Sequence, residues 1–209
     1  MNNAMAIRPH DLLWGLPLSA LPGDAPDWVI EVVSLGHPVV VRREALRHGL
    51  IAVGVRGPAR EQRYATQMAV ADIGRSVSPE QLIDMPANGA QWPALHALRQ
   101  VHPVMASLER VWGVSGSAGF ELASGVSALH QGSDLDLILR TPCLVERRWA
   151  AELVEALETA VCRIDVQLQL PTGAIALREW ARPEGQVLLK TSHGARLVRD
   201  PWQMQQACA

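Results

Sequence analysis

Apolar and polar residues alternate along several stretches of this chain, and the alternation predicts β-strands. The clearest case is residues 162–170, where Ile164 and every second residue after it are apolar while the residues between them are polar. Successive side chains of a strand point to opposite faces, so this pattern indicates a strand with one buried and one polar face. Residues 132–139 predict a second strand, with Asp134 and Asp136 on one face and leucines on the other.

Other periodicities complete the predicted set of elements. A spacing of three and four residues between apolar positions indicates helices over 92–110 and 145–160, and Pro103 is expected to kink or break the first. Ser78 and Pro79 have the composition of a helix start. Further strands are predicted at 28–33, 38–42, 50–55, 111–114, 186–190 and 196–198. Two short helices are predicted at 120–123 and 174–181.

This mixture predicts an α+β protein. We expect a small N-terminal α/β domain over 1–88. A C-terminal domain over 89–209 would hold a mixed sheet flanked by helices. The break between them is placed at residues 85–89, where proline, asparagine and glycine interrupt the periodic pattern.

Composition narrows the class of protein. The chain has 209 residues, a net charge of -2 and 48% hydrophobic residues, which argues against a protein that coats nucleic acid. No apolar run is long enough to span a membrane. Three widely spaced cysteines without metal-ligand spacing indicate free thiols and a cytoplasmic protein.

The acidic pair supplies the first candidate chemistry. Two carboxylates on one strand face repel each other unless a cation lies between them, and their oxygen atoms suit Mg²⁺ or Mn²⁺. The alternative is structural: one aspartate begins the strand and the other caps a neighbouring element. Asp165, on the polar face of the later strand, would add a third carboxylate if the two strands pair.

Candidate phosphate contacts lie elsewhere in the chain. Residues 115–119 form a Gly/Ser turn between a predicted strand and helix, so Gly116 would permit close approach of a phosphate and Ser117 could donate a hydrogen bond. Lys190, the one lysine of the chain, is a candidate clamp or a surface lysine. Three arginines after a predicted strand form either a phosphate- or carrier-binding loop or a solvated turn: Arg56, Arg60 and Arg63.

The order of these features resembles the nucleotidyltransferase superfamily: a Gly-Ser turn, a D-x-D strand and a third acid on a later strand. Four segments carry a closer resemblance, to the malonate decarboxylase holo-acyl-carrier-protein synthases, which are the phosphoribosyl-dephospho-CoA transferases. The segments are His10-Asp11-Leu12-Leu13-Trp14, residues 54–63, residues 132–137 and residues 188–194. The similarity extends over essentially the whole chain.

The resemblance implies a reaction, performed by a nucleotidyltransferase-like catalytic domain over 89–209, while the domain over 1–88 would contact substrate or a carrier protein. Such enzymes transfer the phosphoribosyl-dephospho-CoA unit from 2′-(5″-triphosphoribosyl)-3′-dephospho-CoA to a serine of the malonate decarboxylase acyl carrier subunit, and pyrophosphate leaves. It implies that Asp134 and Asp136 hold the catalytic Mg²⁺ or Mn²⁺. Asp165 would be a third ligand or the base that accepts the serine proton. Substrate-binding roles would fall to the following residues: Gly116, Ser117, Ser133, Lys190, Arg56, Arg60 and Arg63.

Two other functions are compatible with the residues. The chain could be a nucleotidyltransferase that uses an ordinary nucleoside triphosphate on a small molecule or a protein. It could also be a catalytically silent module of the same fold that only binds a partner. The presence of all three acids weighs against the silent module.

Overall fold

The computed structural model describes residues 7–59, 61–85, 92–158 and 161–203. The chain divides into two compact units. The N-terminal unit extends to Ser78 and includes residues 123–127; the C-terminal unit comprises residues 79–122 and the chain from Ala128 onward. The predicted domain boundary at residue 88 falls outside the described residues and stays a prediction. Along the described part of the chain, no helix combines the length and apolar character that crossing a bilayer requires.

The N-terminal unit contains an antiparallel sheet of five strands in the order β4-β3-β2-β1-β5. One helix and two short 3₁₀ segments, Leu18–Ala20 and Val70–Asp72, accompany the sheet. In chain order the elements are β1 (Leu12–Trp14), α1 (Asp27–Ser34), β2 (Val39–Val41), β3 (Leu50–Arg56), β4 (Arg63–Ala69) and β5 (Arg75–Val77).

Helix α1 corrects the prediction of a strand at 28–33. Val29, Val32 and Val33 are buried, and this spacing of three and four residues is that of one helix face. Pro26 precedes the helix and Asp27 lies in its first turn, where a carboxylate is favourable. The valines pack into a core with Leu13 and other apolar side chains. Burial of this face outweighs the intrinsic preference of valine for strands.

The C-terminal unit is built on a mixed sheet of six strands in the order β11-β10-β9-β8-β7-β6. β7 and β8 are parallel, and the other neighbours are antiparallel. A 3₁₀ segment, Pro79–Leu82, precedes the helices and strands. These are α2 (Pro93–Ser107), β6 (Trp112–Val114), α3 (Gly116–Ser124), β7 (Leu135–Arg140), α4 (Arg147–Leu157), β8 (Ile164–Leu170), β9 (Gly173–Ala176), α5 (Leu177–Trp180), β10 (Val187–Thr191) and β11 (Gly194–Val198).

The two faces of this sheet differ in character. Leu135, Leu137 and Leu139 are at most 1% exposed, and helices α2 and α5 pack against β7 and β8. Asp136 and Asp165 are half-buried on the opposite face. The predicted α+β class, with a mixed C-terminal sheet and flanking helices, is therefore confirmed.

Three local predictions for this unit need correction. Helix α2 continues through Pro103, so the predicted break is absent, because its buried apolar face offsets the hydrogen bond that proline cannot donate; the alternative of a kink stays a prediction. Helix α3 begins at Gly116 rather than at residue 120. The helix predicted at 174–181 begins as strand β9, and only its second half is helical; Ala174 and Ile175 are buried in the sheet.

Candidate active site

The structure brings two of the predicted carboxylates, Asp136 and Asp165, to one face of the C-terminal sheet, and the third, Asp134, lies just ahead of β7. β7 and β8 run in parallel with Asp136 directly opposite Asp165, so the two Cα atoms are about 5 Å apart. Asp134 lies two residues before Asp136, just ahead of the strand, where the Leu135 N–H donates to the Arg163 carbonyl at 2.9 Å. Residues two apart along a strand share a face. The predicted pairing of the two acid-bearing strands is therefore present.

Gly116 lies against the Asp136 carboxylate. The Ser115 N–H donates to the Asp136 carbonyl at 2.9 Å and holds the end of β6 beside β7. Gly116 has a φ of 62°, in the left-handed region that glycine tolerates. A Cβ atom at this position would overlap the carboxylate and lie 2.6 Å from its carbon. The turn predicted to bind phosphate thus adjoins the D-x-D motif.

The two predicted serines occupy different positions. Ser117 is half-buried in the first turn of α3, where the helix dipole favours negative charge. Ser133 is 6% exposed. Its hydroxyl oxygen accepts a hydrogen bond from the His130 N–H at 3.0 Å, and its own N–H donates to the His130 carbonyl at 3.0 Å. Ser133 therefore closes the turn that delivers Asp134 to the site.

Arg163 belongs to this site although no chemistry was predicted for it. Its Nε donates to Asp165 Oδ1 at 2.9 Å. The hydrogen bond and charge of Asp165, followed by the charges of Asp134 and Asp136, raise the pKa of the guanidinium. The sequence carried a signal for it, because Arg163 precedes Asp165 by two residues on the polar side of the alternating strand.

The negative charge of Asp134 also affects the pKa of the Cys162 thiol. Burial raises the pKa of its thiol most, and the charge of Asp134 raises it further, while the Leu135 backbone N–H acts in the opposite direction. A cavity of about 570 Å³ opens beside Cys162 and Arg163, and its other lining residues are Leu157, Glu158 and Arg178. The cavity is widely open to solvent, and Asp134, Asp136 and Asp165 are not among its lining residues.

The donor atoms suit a hard divalent cation, but the three carboxylates are not arranged as a complete metal cage. Asp134, Asp136 and Asp165 offer only oxygen ligands, which Mg²⁺ and Mn²⁺ prefer. Within the described ranges, no group of three or more His, Cys, Asp or Glu side chains is positioned to hold a metal ion. Asp165 instead accepts the hydrogen bond from Arg163. The chemistry therefore fits a metal, while the third carboxylate is paired with an arginine.

Among the remaining predicted contacts, Lys190 belongs to the same unit as the acids but is not close to them. Lys190 is exposed on β10 and pairs with Ala174, which pairs with Gln169. Lys190 therefore shares the face of the acids, but its Cα is roughly 16 Å from that of Asp165.

The arginines belong to the other unit. Arg56 and Arg63 are opposite each other on β3 and β4, and Arg60 lies outside the described residues.

Comparisons with known proteins agree along the whole chain. Residues 8–79 match the model of the phosphoribosyl-dephospho-CoA transferase MdcG N-terminal domain, and residues 81–201 match that of the MdcG C-terminal domain. A phosphoribosyl-dephospho-CoA transferase of Pseudomonas syringae pv. tomato is 65% identical over all of both chains. A relative of the same name from Pseudomonas fluorescens is 56% identical, over 96% of this chain and 96% of its own. Another, from Azotobacter vinelandii, is 51% identical, over 93% of this chain and 94% of its own.

No solved structure matches the chain significantly.

These matches define the class of the protein as a transferase enzyme. Within that class, the chain belongs to the phosphoribosyl-dephospho-CoA transferase family.

Proposed function

We propose that this transferase moves the phosphoribosyl-dephospho-CoA group from 2′-(5″-triphosphoribosyl)-3′-dephospho-CoA to a serine of the malonate decarboxylase acyl carrier subunit. The C-terminal unit would act as a nucleotidyltransferase that depends on Mg²⁺ or Mn²⁺. One structural observation carries the proposal: Asp136 lies opposite Asp165 on parallel strands and against Gly116. The relatives' name supports the transferred group, and the resemblance of the sequence motifs supports the acceptor.

The proposed reaction is a displacement at phosphorus. The serine oxygen forms a bond to the α-phosphorus, the bond from that phosphorus to the bridging oxygen of the β-phosphate breaks, and pyrophosphate carries away the electron pair. The serine proton must pass to a base. Asp165 is suited to accept it, or to act as the third metal ligand, because its carboxylate is 37% exposed and lies beside Asp136.

Negative charge increases on the leaving pyrophosphate, and this site can compensate for it. Asp134 and Asp136 would hold the divalent cation, whose positive charge neutralises the phosphate oxygens when it is bound. The backbone N–H groups at the start of α3, together with the Ser117 hydroxyl, are placed to donate to phosphate oxygens. Because Gly116 has no side chain, the space beside the Asp136 carboxylate stays open.

Other contacts would hold the rest of the donor or the carrier. Lys190 is too far from the acids to share their phosphate and would bind a more distant part of the donor. Arg56, Arg60 and Arg63 remain candidates for CoA or carrier contacts. The free thiols of Cys143 and Cys162 support a reducing, cytoplasmic location.

The test is transfer to the isolated carrier. Purified enzyme is mixed with Mg²⁺, the triphosphoribosyl donor and apo carrier protein. The mass of the carrier is then measured by intact mass spectrometry, and the released pyrophosphate is quantified. A mass gain equal to the prosthetic group, together with its loss when Mg²⁺ is chelated, is the expected result. Replacement of the acceptor serine by alanine is the matched control.

Two results would overturn the proposal. Turnover with ordinary nucleoside triphosphates alone would indicate a different nucleotidyltransferase. Absence of turnover with every donor, in a folded protein, would indicate a binding module.

A further inference from the structure

The carboxylate of Glu121, in helix α3, binds the segment that leads into β7. Its Oε2 atom accepts hydrogen bonds from the Ala128 N–H at 2.7 Å and from the Leu129 N–H at 2.8 Å. Glu121 and Ala128 are half-buried, and Leu129 is 6% exposed. Hydrogen bonds to a carboxylate are stronger than those between neutral groups. Glu121 therefore fixes the chain at the point where it returns from α3 towards the D-x-D motif.

The hydrogen bonds within residues 130–133 shape a turn, but they do not fix where the turn lies. The His130 N–H donates to Ser133 Oγ, and the Ser133 N–H donates to the His130 carbonyl, each at 3.0 Å. These contacts join residues three positions apart. The Glu121 contacts instead join the segment to a helical residue seven and eight positions earlier. The location of Asp134, directly after the turn, therefore depends on Glu121.

Helix α3 contacts the surroundings of both acids of the motif. Its first residue, Gly116, lies against the Asp136 carboxylate. Glu121 follows five residues later, about 7.5 Å along the helix axis, and holds the segment that precedes Asp134. The start of β7 is held on its other side by β8. One short helix thus constrains the approach of the chain to Asp134 and the space beside Asp136.

We propose that Glu121 is a positioning residue of the active site, whose carboxylate sets where Asp134 lies relative to Asp136. This inference rests on the proposed function, because that function gives Asp134 a part in transfer. Without its two hydrogen bonds to Glu121, the segment before Asp134 is free to shift. A misplacement of about 1 Å at an active site can reduce turnover 10²-fold. Glu121 acts through the backbone of this segment and touches no substrate.

Two conservative variants separate the position of the acceptor oxygen from its charge. Glu121→Gln keeps the length of the side chain and an oxygen that accepts both N–H groups, but it loses the charge. Glu121→Asp keeps the charge, but its side chain is one methylene shorter and its oxygen no longer reaches the same point. A positioning role predicts that the glutamine variant retains most of the activity and the aspartate variant loses it. An electrostatic role predicts the opposite order.

The experiment measures kcat, the KM for the donor and backbone hydrogen exchange on the full-length protein. Glu121→Ala and Glu121→Asp should lower kcat of carrier modification about 10²-fold. The donor KM should not change, because the groups that bind the donor stay in place. Amides of residues 128–135 should exchange about tenfold faster in these two variants. Glu121→Gln should remain close to the wild type in all three measurements.

Asp200→Ala is the matched control. One oxygen of Asp200 also accepts from two successive backbone N–H groups, those of Trp202 at 2.9 Å and Gln203 at 3.3 Å. Trp202 Nε1 donates to the Thr141 carbonyl, just past the opposite end of β7 from Asp134. Asp200→Ala should lower the free energy of unfolding as a lost turn contact does, while kcat and the exchange of residues 128–135 stay at wild-type values.

Three results would overturn the inference: unchanged exchange over residues 128–135 in Glu121→Ala, unchanged kcat in that variant, or a kcat of Glu121→Asp that equals or exceeds that of Glu121→Gln. If Glu121→Ala does not fold, the comparison of the other two variants decides. Hydrogen exchange needs no substrate, so a wild type without transfer activity would refute the proposed function separately, and faster exchange in Glu121→Asp alone would still support the positional effect of Glu121.

Discussion

Replacement of Gly116 by alanine tests whether this glycine is required by the active site or only by the backbone. The residue has a φ of 62°, and a side chain in that region costs roughly 1–2 kcal/mol. The added Cβ would also lie 2.6 Å from the Asp136 carboxylate carbon, whereas ordinary contacts begin at 3.4 Å. The carboxylate must therefore move by at least about 0.8 Å, and a misplacement of about 1 Å can reduce turnover 10²-fold.

Gly125 provides the matched control. It follows the other end of α3, has a φ of 73°, and a Cβ there would meet nothing within 4 Å. Gly125→Ala should therefore incur the same backbone cost without disturbing Asp136. Gly125→Ala should lose about 1–2 kcal/mol of unfolding free energy in urea, and Gly116→Ala should lose this backbone cost plus about 1–3 kcal/mol for the overlap with Asp136. Only Gly116→Ala should lose carrier modification, by about 10²-fold.

The measurements are urea unfolding followed by tryptophan fluorescence, and initial rates of carrier mass gain under saturating Mg²⁺. Near wild-type rates for Gly116→Ala would refute the assigned contact between Gly116 and a catalytic Asp136. Equal loss of activity in Gly125→Ala would show that the effect comes from α3 stability instead. A Mn²⁺ titration of both variants gives a second readout, because displacement of Asp136 should weaken Mn²⁺ binding in Gly116→Ala alone.

Three further predictions concern neighbouring residues. Asp134→Asn and Asp136→Asn should each reduce carrier modification by at least about 10²-fold, while unfolding free energy stays equal or rises because like charges no longer repel. In protein lacking the other cysteines, Asp134→Asn should lower the raised pKa of Cys162 and so speed its alkylation by iodoacetamide at fixed mildly alkaline pH, since more thiolate is present. Glu80→Gln should lower unfolding free energy by about 1–3 kcal/mol, because it leaves the mostly buried Arg140 charge without its 2.8 Å partner.

Each of these has a result that would contradict it. Wild-type turnover in either asparagine variant would show that the replaced aspartate is not part of the active site. An unchanged alkylation rate would show that Asp134 does not act on Cys162. For Glu80→Gln, the comparison is Glu44→Gln, whose pair with Arg42 is 43% exposed on both sides and should contribute about 1 kcal/mol or less; equal losses would contradict the assigned role of burial.

Sequence patterns were sufficient for several features of the site. Alternation along β7 and β8 predicted which side chains share a face, because the period of a strand depends only on local backbone geometry. The pattern also placed Asp165 on a polar face. The expectation that Gly116 permits close approach of a phosphate stays a prediction. These are local consequences of residue type and spacing, and the structure places Asp136 opposite Asp165 and against Gly116.

Other features depended on the tertiary structure. Valines 29, 32 and 33 were read as a strand, yet packing against the N-terminal sheet makes them one face of a helix. The choice of partner by Arg163 was equally hidden, since an arginine on a polar face can reach several carboxylates. The parallel register of β7 and β8 joins residues far apart in the chain. Such non-local pairing is decided by the burial of both apolar faces together, which no single stretch of sequence contains.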